Sequence, residues 1–185
     1  MVRMCGFELI ANELGHVGEF YTLTCPSRMH ARKSNGGKVN PNYDVTTPPQ
    51  AQQHLNTLWA RVRAKFKRDK LEVYGFRIAE PQHDGTPHWH LLLFMEQRHT
   101  AKVREILRHY ALQVDGDEPG ANKHRFTAIA IDKSKGSATG YIAKYISKNI
   151  DGYGINLKNS VRARQCPVES GRLWFWSDIE ESPNG

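Results

Sequence analysis

The sequence lacks the features that define several common protein classes. It has only three cysteines, Cys5, Cys25 and Cys166, and no Cys-x-x-Cys pair, which argues against a disulfide framework or a cysteine zinc finger. No apolar run approaches the roughly 18 residues of a membrane-spanning helix. The first residues also lack the apolar core of a signal peptide. We therefore expect a globular chain with free thiols and no membrane partner.

Two catalytic signatures are absent as well. The chain has no Gly-x-x-x-x-Gly-Lys-Ser/Thr phosphate loop, so we expect no helicase activity in it, and no His-Glu-x-x-His zinc-hydrolase motif. Positive charge, by contrast, is plentiful. Lysine and arginine number 26 against 19 aspartates and glutamates, a net charge of +7 that favours a polyanionic partner.

Apolar periodicity and turn residues predict an α+β fold. Strands are predicted at 19–25, 71–80, 88–95 and 126–131. Helices are predicted after Pro48-Pro49, after Thr100 as the N-cap, and over about 136–150. The order β–α–β–β–α–β–α is that of a split βαβ, ferredoxin-like sheet with a helix appended. We predict a central antiparallel sheet of about five strands with helices packed on it.

Two basic segments are candidate DNA contacts. Residues 26–49 form a long loop with Arg28, Arg32 and Lys33, and such a loop is usually either functional and mobile or disordered. The helix that follows Pro48-Pro49 carries basic residues on its polar side, which form either a solvated face or a phosphate-tracking ridge. The sequence leaves both alternatives open.

The most informative motif is His88-Trp89-His90 at the start of an apolar run. On a strand, residues i and i+2 project from one face about 6–7 Å apart, so two imidazoles can close on one metal ion. The same spacing also fits two half-buried histidines with satisfied hydrogen bonds. A third ligand distinguishes the two interpretations.

Glu80 is the best candidate for that ligand, and the length of the intervening turn decides its face. A two-residue turn would place Glu80 opposite Trp89, on the wrong side of the sheet. A three-residue turn at 83–85 places Glu80 opposite His88. Such turns favour a left-handed residue at the third position, where Gly85 stands.

The pattern therefore predicts a site made of Glu80, His88 and His90. His83, in the turn, is the alternative third ligand. Two imidazoles and a carboxylate suit Mg²⁺ or Mn²⁺, and they also resemble a catalytic zinc site.

A second motif contains two tyrosines. Tyr141 and Tyr145 are four residues apart and share one helix face, with Lys144 between them and Lys148 one turn beyond. An apolar core stripe would have the same spacing. The functional interpretation is a pair of phenolic nucleophiles, which need lysine or metal assistance because a phenol has a pKa near 10.

Together these motifs resemble those of the HUH rolling-circle replication initiators. Residues 80–94 resemble the His–hydrophobic–His motif, 140–148 the two-tyrosine motif, and 19–24 the first-strand motif. Over roughly residues 1–158 the chain is similar to the replication gene A protein family of tailed bacteriophages and prophages. Three motifs in the expected order are far more specific than any one of them.

The resemblance implies a role for each motif residue. A divalent ion, Mg²⁺ or Mn²⁺, would be bound by Glu80, His88 and His90. The nucleophiles would be Tyr141 and Tyr145, assisted by Lys144. The implied reaction nicks one DNA strand at the origin, leaving a 5′-phosphotyrosine link and a free 3′-OH, and later joins DNA ends by strand transfer.

The resemblance also implies partners and boundaries. We expect a nuclease domain over 1–160 with an extension of uncertain order over 161–185, either excised from a longer protein or a short relative. The chemistry itself calls for a single-stranded or locally unpaired origin, because an intact duplex would obstruct the site, and the basic residues Arg28, Arg32, Lys33 and Lys148 are candidate contacts with this DNA. Host helicase and replication machinery would be partners in the bacterial cytoplasm.

Three other functions fit part of the sequence. A relaxase or single-tyrosine transposase would share the fold, although two tyrosines argue against it. A nucleic-acid-binding module without chemistry would share the sheet and its charge, but binding alone needs neither the metal ligands nor the tyrosines. A zinc hydrolase would use the metal ligands and leave both tyrosines unexplained.

Overall fold

The computed structural model describes residues 2–33, 37–132, 134, 137–138, 140 and 174–177 of the chain. Its helices are α1 (Val2–Glu13), α2 (Pro48–Arg68), α3 (Thr100–Ala111) and the short α4 (Ala121–His124). Its strands are β1 (Val17–Thr24), β2 (Tyr74–Pro81), β3 (Pro87–Met95), β4 (Phe126–Ala130) and β5 (Trp174–Ser177). Within this described part of the chain, no helix combines the length and apolarity needed to cross a membrane.

The strands form an antiparallel sheet in the order β4-β1-β3-β2, with the short β5 beyond β2. Both β1 and β2 pair antiparallel with β3, so they run parallel to each other on its two sides. The connection between them contains α2, and the connection from β3 to β4 contains α3. The predicted α+β class and antiparallel sheet are confirmed.

Three of the four predicted strands begin and end within two residues of the observed bounds. The second begins at Tyr74 rather than at Leu71. Lys70 has a positive φ of 54°, and Leu71 donates its N–H to the Phe66 carbonyl to close α2. Leu71 and Val73 are buried without being in the sheet, which is why apolar pattern alone extended the strand too far.

Helix α1 was not predicted from the sequence. Phe7 and Ala11 pack towards the sheet, whereas Leu9 and Ile10 are 62% and 40% exposed. Its apolar residues therefore do not form one stripe at helical spacing, and the usual signal is weak. The predicted helix over 136–150 lies outside the described residues except at 137–138 and 140.

The two faces of the sheet bury different sets of side chains. One, the α2/α3 face, packs alternate strand residues such as Tyr21, Trp89 and Leu91 against Leu55 and Val103. The other, the α1 face, carries the intervening residues: Phe20, Tyr74, Phe76, Ile78, Leu92 and Phe94. Strand β3 is buried on both faces, which accounts for the continuous apolar run 91–95.

An ion pair between the half-exposed Arg104 and the buried Glu19 attaches α3 to β1. Glu19 is 3% exposed, and its carboxylate accepts hydrogen bonds from the Arg104 guanidinium and, at 2.6 Å, from the Tyr21 hydroxyl. Burial, followed by the adjacent carboxylate, raises the pKa of Tyr21 far above its usual value. Tyr21 therefore stays a neutral donor, and both oxygens of the buried carboxylate accept hydrogen bonds.

Gly75 gives a direct test of how closely β2 and β3 approach. Its φ is +150°, and a Cβ atom there would lie 2.0 Å from the Leu92 carbonyl oxygen. We expect Gly75→Ala to lower the free energy of unfolding by about 3 kcal/mol in urea titrations. The reason is that the backbone of β2 or β3 must move to make room for the added Cβ atom.

Gly6→Ala is the matched control for Gly75→Ala. Gly6 lies in α1, and a Cβ atom added to it would meet no neighbouring part of the fold within 4 Å. The substitution should stabilise the chain by about 0.5–1 kcal/mol, because alanine restricts the unfolded chain and favours helix. Equal stability of the Gly75→Ala variant and the wild type would contradict the close approach.

Candidate metal centre

The β2–β3 hairpin positions the candidate ligands. Gln82 donates its N–H to the Thr86 carbonyl at 2.9 Å, Gly85 donates to the Gln82 carbonyl at 2.8 Å, and Gly85 has a φ of +82°. Glu80 consequently pairs with His88 in the sheet register. The predicted three-residue turn, its left-handed glycine and the alignment of Glu80 are confirmed.

The three predicted ligands converge on the α1 face. His90 Nε2 lies 2.7 Å from Glu80 Oε2 and 2.8 Å from His88 Nε2, and the third edge, from His88 Nε2 to Glu80 Oε2, is 3.5 Å. His90 is buried, while Glu80 and His88 are half-buried. The turn residue His83 is exposed and does not belong to this cluster.

This donor set fits a divalent ion. Ligand atoms in neighbouring positions of an octahedron lie about 3 Å apart when each metal–ligand bond is about 2.1 Å. The three observed separations span that value. Two imidazole nitrogens and one carboxylate oxygen on one side would leave other coordination positions for water or a substrate oxygen.

The electrostatics of His88 favour metal binding. Burial, then the neighbouring His90, lower the pKa of His88 well below its usual value, and Glu80 only partly opposes this. The imidazole is therefore neutral near pH 7, the form in which a ring nitrogen can coordinate a cation.

Each histidine also has a polar neighbour at its other ring nitrogen. His90 Nδ1 lies 3.1 Å from Thr22 Oγ1 in β1, and His88 Nδ1 lies 2.8 Å from the Gln82 side-chain amide. Phe20 stacks on the His90 ring at a centroid distance of 5.3 Å. Sequence reasoning missed Thr22 and Gln82, although aligning β1 with β3 would have placed Thr22 opposite His90.

The tyrosine motif lies outside the described residues, as do Lys144 and Lys148. Of the residues just before Tyr141, positions 137, 138 and 140 are described. Ala138 is buried in the apolar cluster of the α1 face with Phe20 and Leu92, and its N–H donates to Glu8 Oε1 at 2.8 Å. The chain therefore contacts the sheet face that carries the candidate ligands three residues before Tyr141.

The loop 26–49 is hydrogen-bonded to the hairpin turn. Asp84 Oδ2 lies 3.3 Å from His30 Nδ1 and 3.4 Å from the Arg32 N–H nitrogen. Thr86 Oγ1 donates to the Met29 carbonyl at 3.2 Å. The beginning of this loop therefore lies beside the candidate metal centre.

The basic residues predicted to contact DNA differ in their surroundings. The Arg28 guanidinium binds two carboxylates, Asp44 and Asp115, and so contributes to holding the loop. Arg32 donates from Nη1 to the Gly37 carbonyl, and both Arg32 and Lys33 are exposed. Helix α2 packs on the face of the sheet opposite the candidate ligands, so its basic side is remote from them.

The fold and the site define an α+β chain with a candidate two-histidine, one-carboxylate metal centre on one face of its sheet. The family described as bacteriophage replication gene A protein matches residues 1–153. The chain belongs to this family.

Its relatives are much longer proteins. The replication gene A protein of Escherichia phage 186 is 54% identical over 84% of this chain, and the probable replication protein P12 of Pseudoalteromonas phage PM2 is 50% identical over 82%. A probable replication endonuclease from a prophage-like region of Salmonella paratyphi A is 44% identical over 93%. The aligned segments cover only 23%, 23% and 21% of those relatives.

Gly85 tests the turn that brings Glu80 opposite His88. Alanine at its φ of +82° has a steric cost, while asparagine tolerates left-handed backbone better. We expect Gly85→Ala to lower the free energy of unfolding by about 1–2 kcal/mol, and Gly85→Asn to lower it by less. An alanine variant as stable as the wild type would show that the turn does not need this conformation.

Proposed function

We propose that residues 1–160 form the DNA-nicking domain of a phage replication initiator. It would be a metal-dependent, single-strand endonuclease and strand transferase of rolling-circle replication, with the split βαβ topology of HUH endonucleases. The observation that carries this proposal is the convergence of Glu80, His88 and His90 on the sheet face that the chain contacts just before Tyr141. The names of the relatives, replication proteins and replication endonucleases, support the same function.

Glu80, His88 and His90 would hold the divalent ion, Mg²⁺ or Mn²⁺. When bound, such an ion polarises the oxygens of a phosphodiester and orients the phosphorus for attack. The protein's contribution is to keep the His88 imidazole neutral and to hold all three ligand atoms close together on one face of the sheet.

Tyr141 or Tyr145 would supply the nucleophile. The phenolic oxygen attacks the phosphorus in line, a bond from tyrosine to the 5′-phosphate forms, and the bond to the 3′-oxygen breaks. The phenol would lose its proton to water, and the cationic Lys144 would stabilise the phenolate that results. The released 3′-oxygen takes a proton and becomes the 3′-OH that primes synthesis.

The second tyrosine would act on the origin after one round of synthesis. Its attack generates a new 3′-OH, which displaces the first tyrosine from the 5′-phosphate and closes the old strand. The phosphotyrosine bond conserves the energy of the phosphodiester, so joining needs no nucleotide cofactor. This step requires single-stranded or locally unpaired DNA, which host helicase and replication proteins would supply in the bacterial cytoplasm.

Removal of one candidate ligand should strongly weaken metal binding. We expect the wild type to bind Mn²⁺ in calorimetric titration and to unfold at a higher temperature in its presence. Glu80→Gln keeps the volume and loses the charge, so its Mn²⁺ affinity should fall by at least about 100-fold. Glu105→Gln, at an exposed α3 carboxylate, is the control and should bind like the wild type. Unchanged affinity of Glu80→Gln would contradict this site.

The covalent step has its own test. With a labelled single-stranded origin oligonucleotide and Mn²⁺, the wild type should form an SDS-stable adduct, which EDTA prevents. The double variant Tyr141→Phe/Tyr145→Phe should form none, because no phenolic oxygen remains at either position. Tyr110→Phe, in α3 and packed against the α2/α3 core, should still form the adduct. An adduct that survives the double substitution would disprove the tyrosine mechanism.

A further inference from the structure

The outer nitrogens of the two candidate ligands have separate side-chain neighbours. Thr22 Oγ1 lies 3.1 Å from His90 Nδ1, and the Gln82 amide nitrogen lies 2.8 Å from His88 Nδ1. Thr22 belongs to β1 and Gln82 to the hairpin end, so the two contacts come from independent parts of the chain.

The chemistry of imidazole indicates which atom donates the hydrogen bond in each contact. Both Nε2 atoms point at the common site with Glu80. A neutral ring that coordinates through Nε2 must carry its proton on Nδ1, and that N–H needs an acceptor. The threonine hydroxyl can accept such a proton. The glutamine amide can do so through Oε1 after a half-turn about its terminal bond, which exchanges its nitrogen and oxygen.

We propose that Thr22 and Gln82 are positioning residues that fix the Nδ1–H tautomer of His90 and His88, and thereby set the affinity of the site for a divalent cation. The inference rests on the metal site of the proposed function. It adds two residues to that site, one of them on a strand that contributes no ligand.

The backbone holds both residues where this role requires them. Thr22 is directly opposite His90 in the β1–β3 register, with its side chain on the same face. Gln82 is fixed at both its backbone groups, since its N–H donates to Thr86 and its carbonyl accepts from Gly85. Neither side chain depends on a flexible segment to reach its histidine.

Mn²⁺ titration of matched variants tests the proposal. Thr22→Val keeps the shape and β-branching but removes the acceptor, and Gln82→Met removes the amide at similar length. Each should weaken Mn²⁺ binding by about 10- to 100-fold. Thr22→Ser restores the hydroxyl and should recover most of the affinity. Thr127→Val, on β4 directly opposite Thr22 and exposed, should bind like the wild type.

A second measurement determines directly which nitrogen of each imidazole carries the proton. In long-range ¹H–¹⁵N spectra of the Mg²⁺-saturated wild type, both imidazoles should carry the proton on Nδ1. Thermal unfolding in EDTA shows whether the variants retain the fold. Wild-type affinity in both Thr22→Val and Gln82→Met, or an Nε2–H tautomer in the loaded wild type, would overturn the positioning role alone. Absence of Mn²⁺ binding by the wild type would overturn the metal site and this inference with it.

Discussion

The register of the β2–β3 hairpin is the constraint on which the candidate site depends. Side chains alternate between faces of a sheet, so a shift of one residue would carry Glu80 to the α2/α3 face. A shift of β3 by one residue would instead exchange the histidine positions with Trp89, which is fully buried against α2 and donates a hydrogen bond to Gln52 at 3.1 Å. Core packing on one face therefore enforces the ligand geometry on the other.

The two faces of the sheet carry different groups: one holds the larger apolar core, and the other holds the candidate metal ligands. Helices α2 and α3 cover one face with the larger apolar core. The other face is covered by α1 near the His16 end of the strands, and it carries Glu80, His88 and His90 towards the hairpin end. The candidate metal ligands thus lie on the face of the sheet opposite α2 and α3.

Much of this arrangement could be predicted from local pattern. The His-x-His pair, the three-residue turn and Gly85 are close in sequence, and their geometry follows from strand alternation and turn chemistry. The contacts of Thr22 and Gln82 with the two histidines could not be predicted in the same way. Thr22 is 68 residues from His90, and only the pairing of β1 with β3 brings them together. The links from Asp84 to the loop 26–49 are likewise long-range, and α1 lacks a clear apolar stripe.

The location of both histidines on β3 has an energetic consequence. This central strand is hydrogen-bonded on both sides and buried on both faces, so it is ordered as soon as the sheet exists. An ion that binds there would not have to organise a loop, and little conformational entropy would be lost on binding. The core would therefore preorganise the candidate ligands on β3 for an incoming ion.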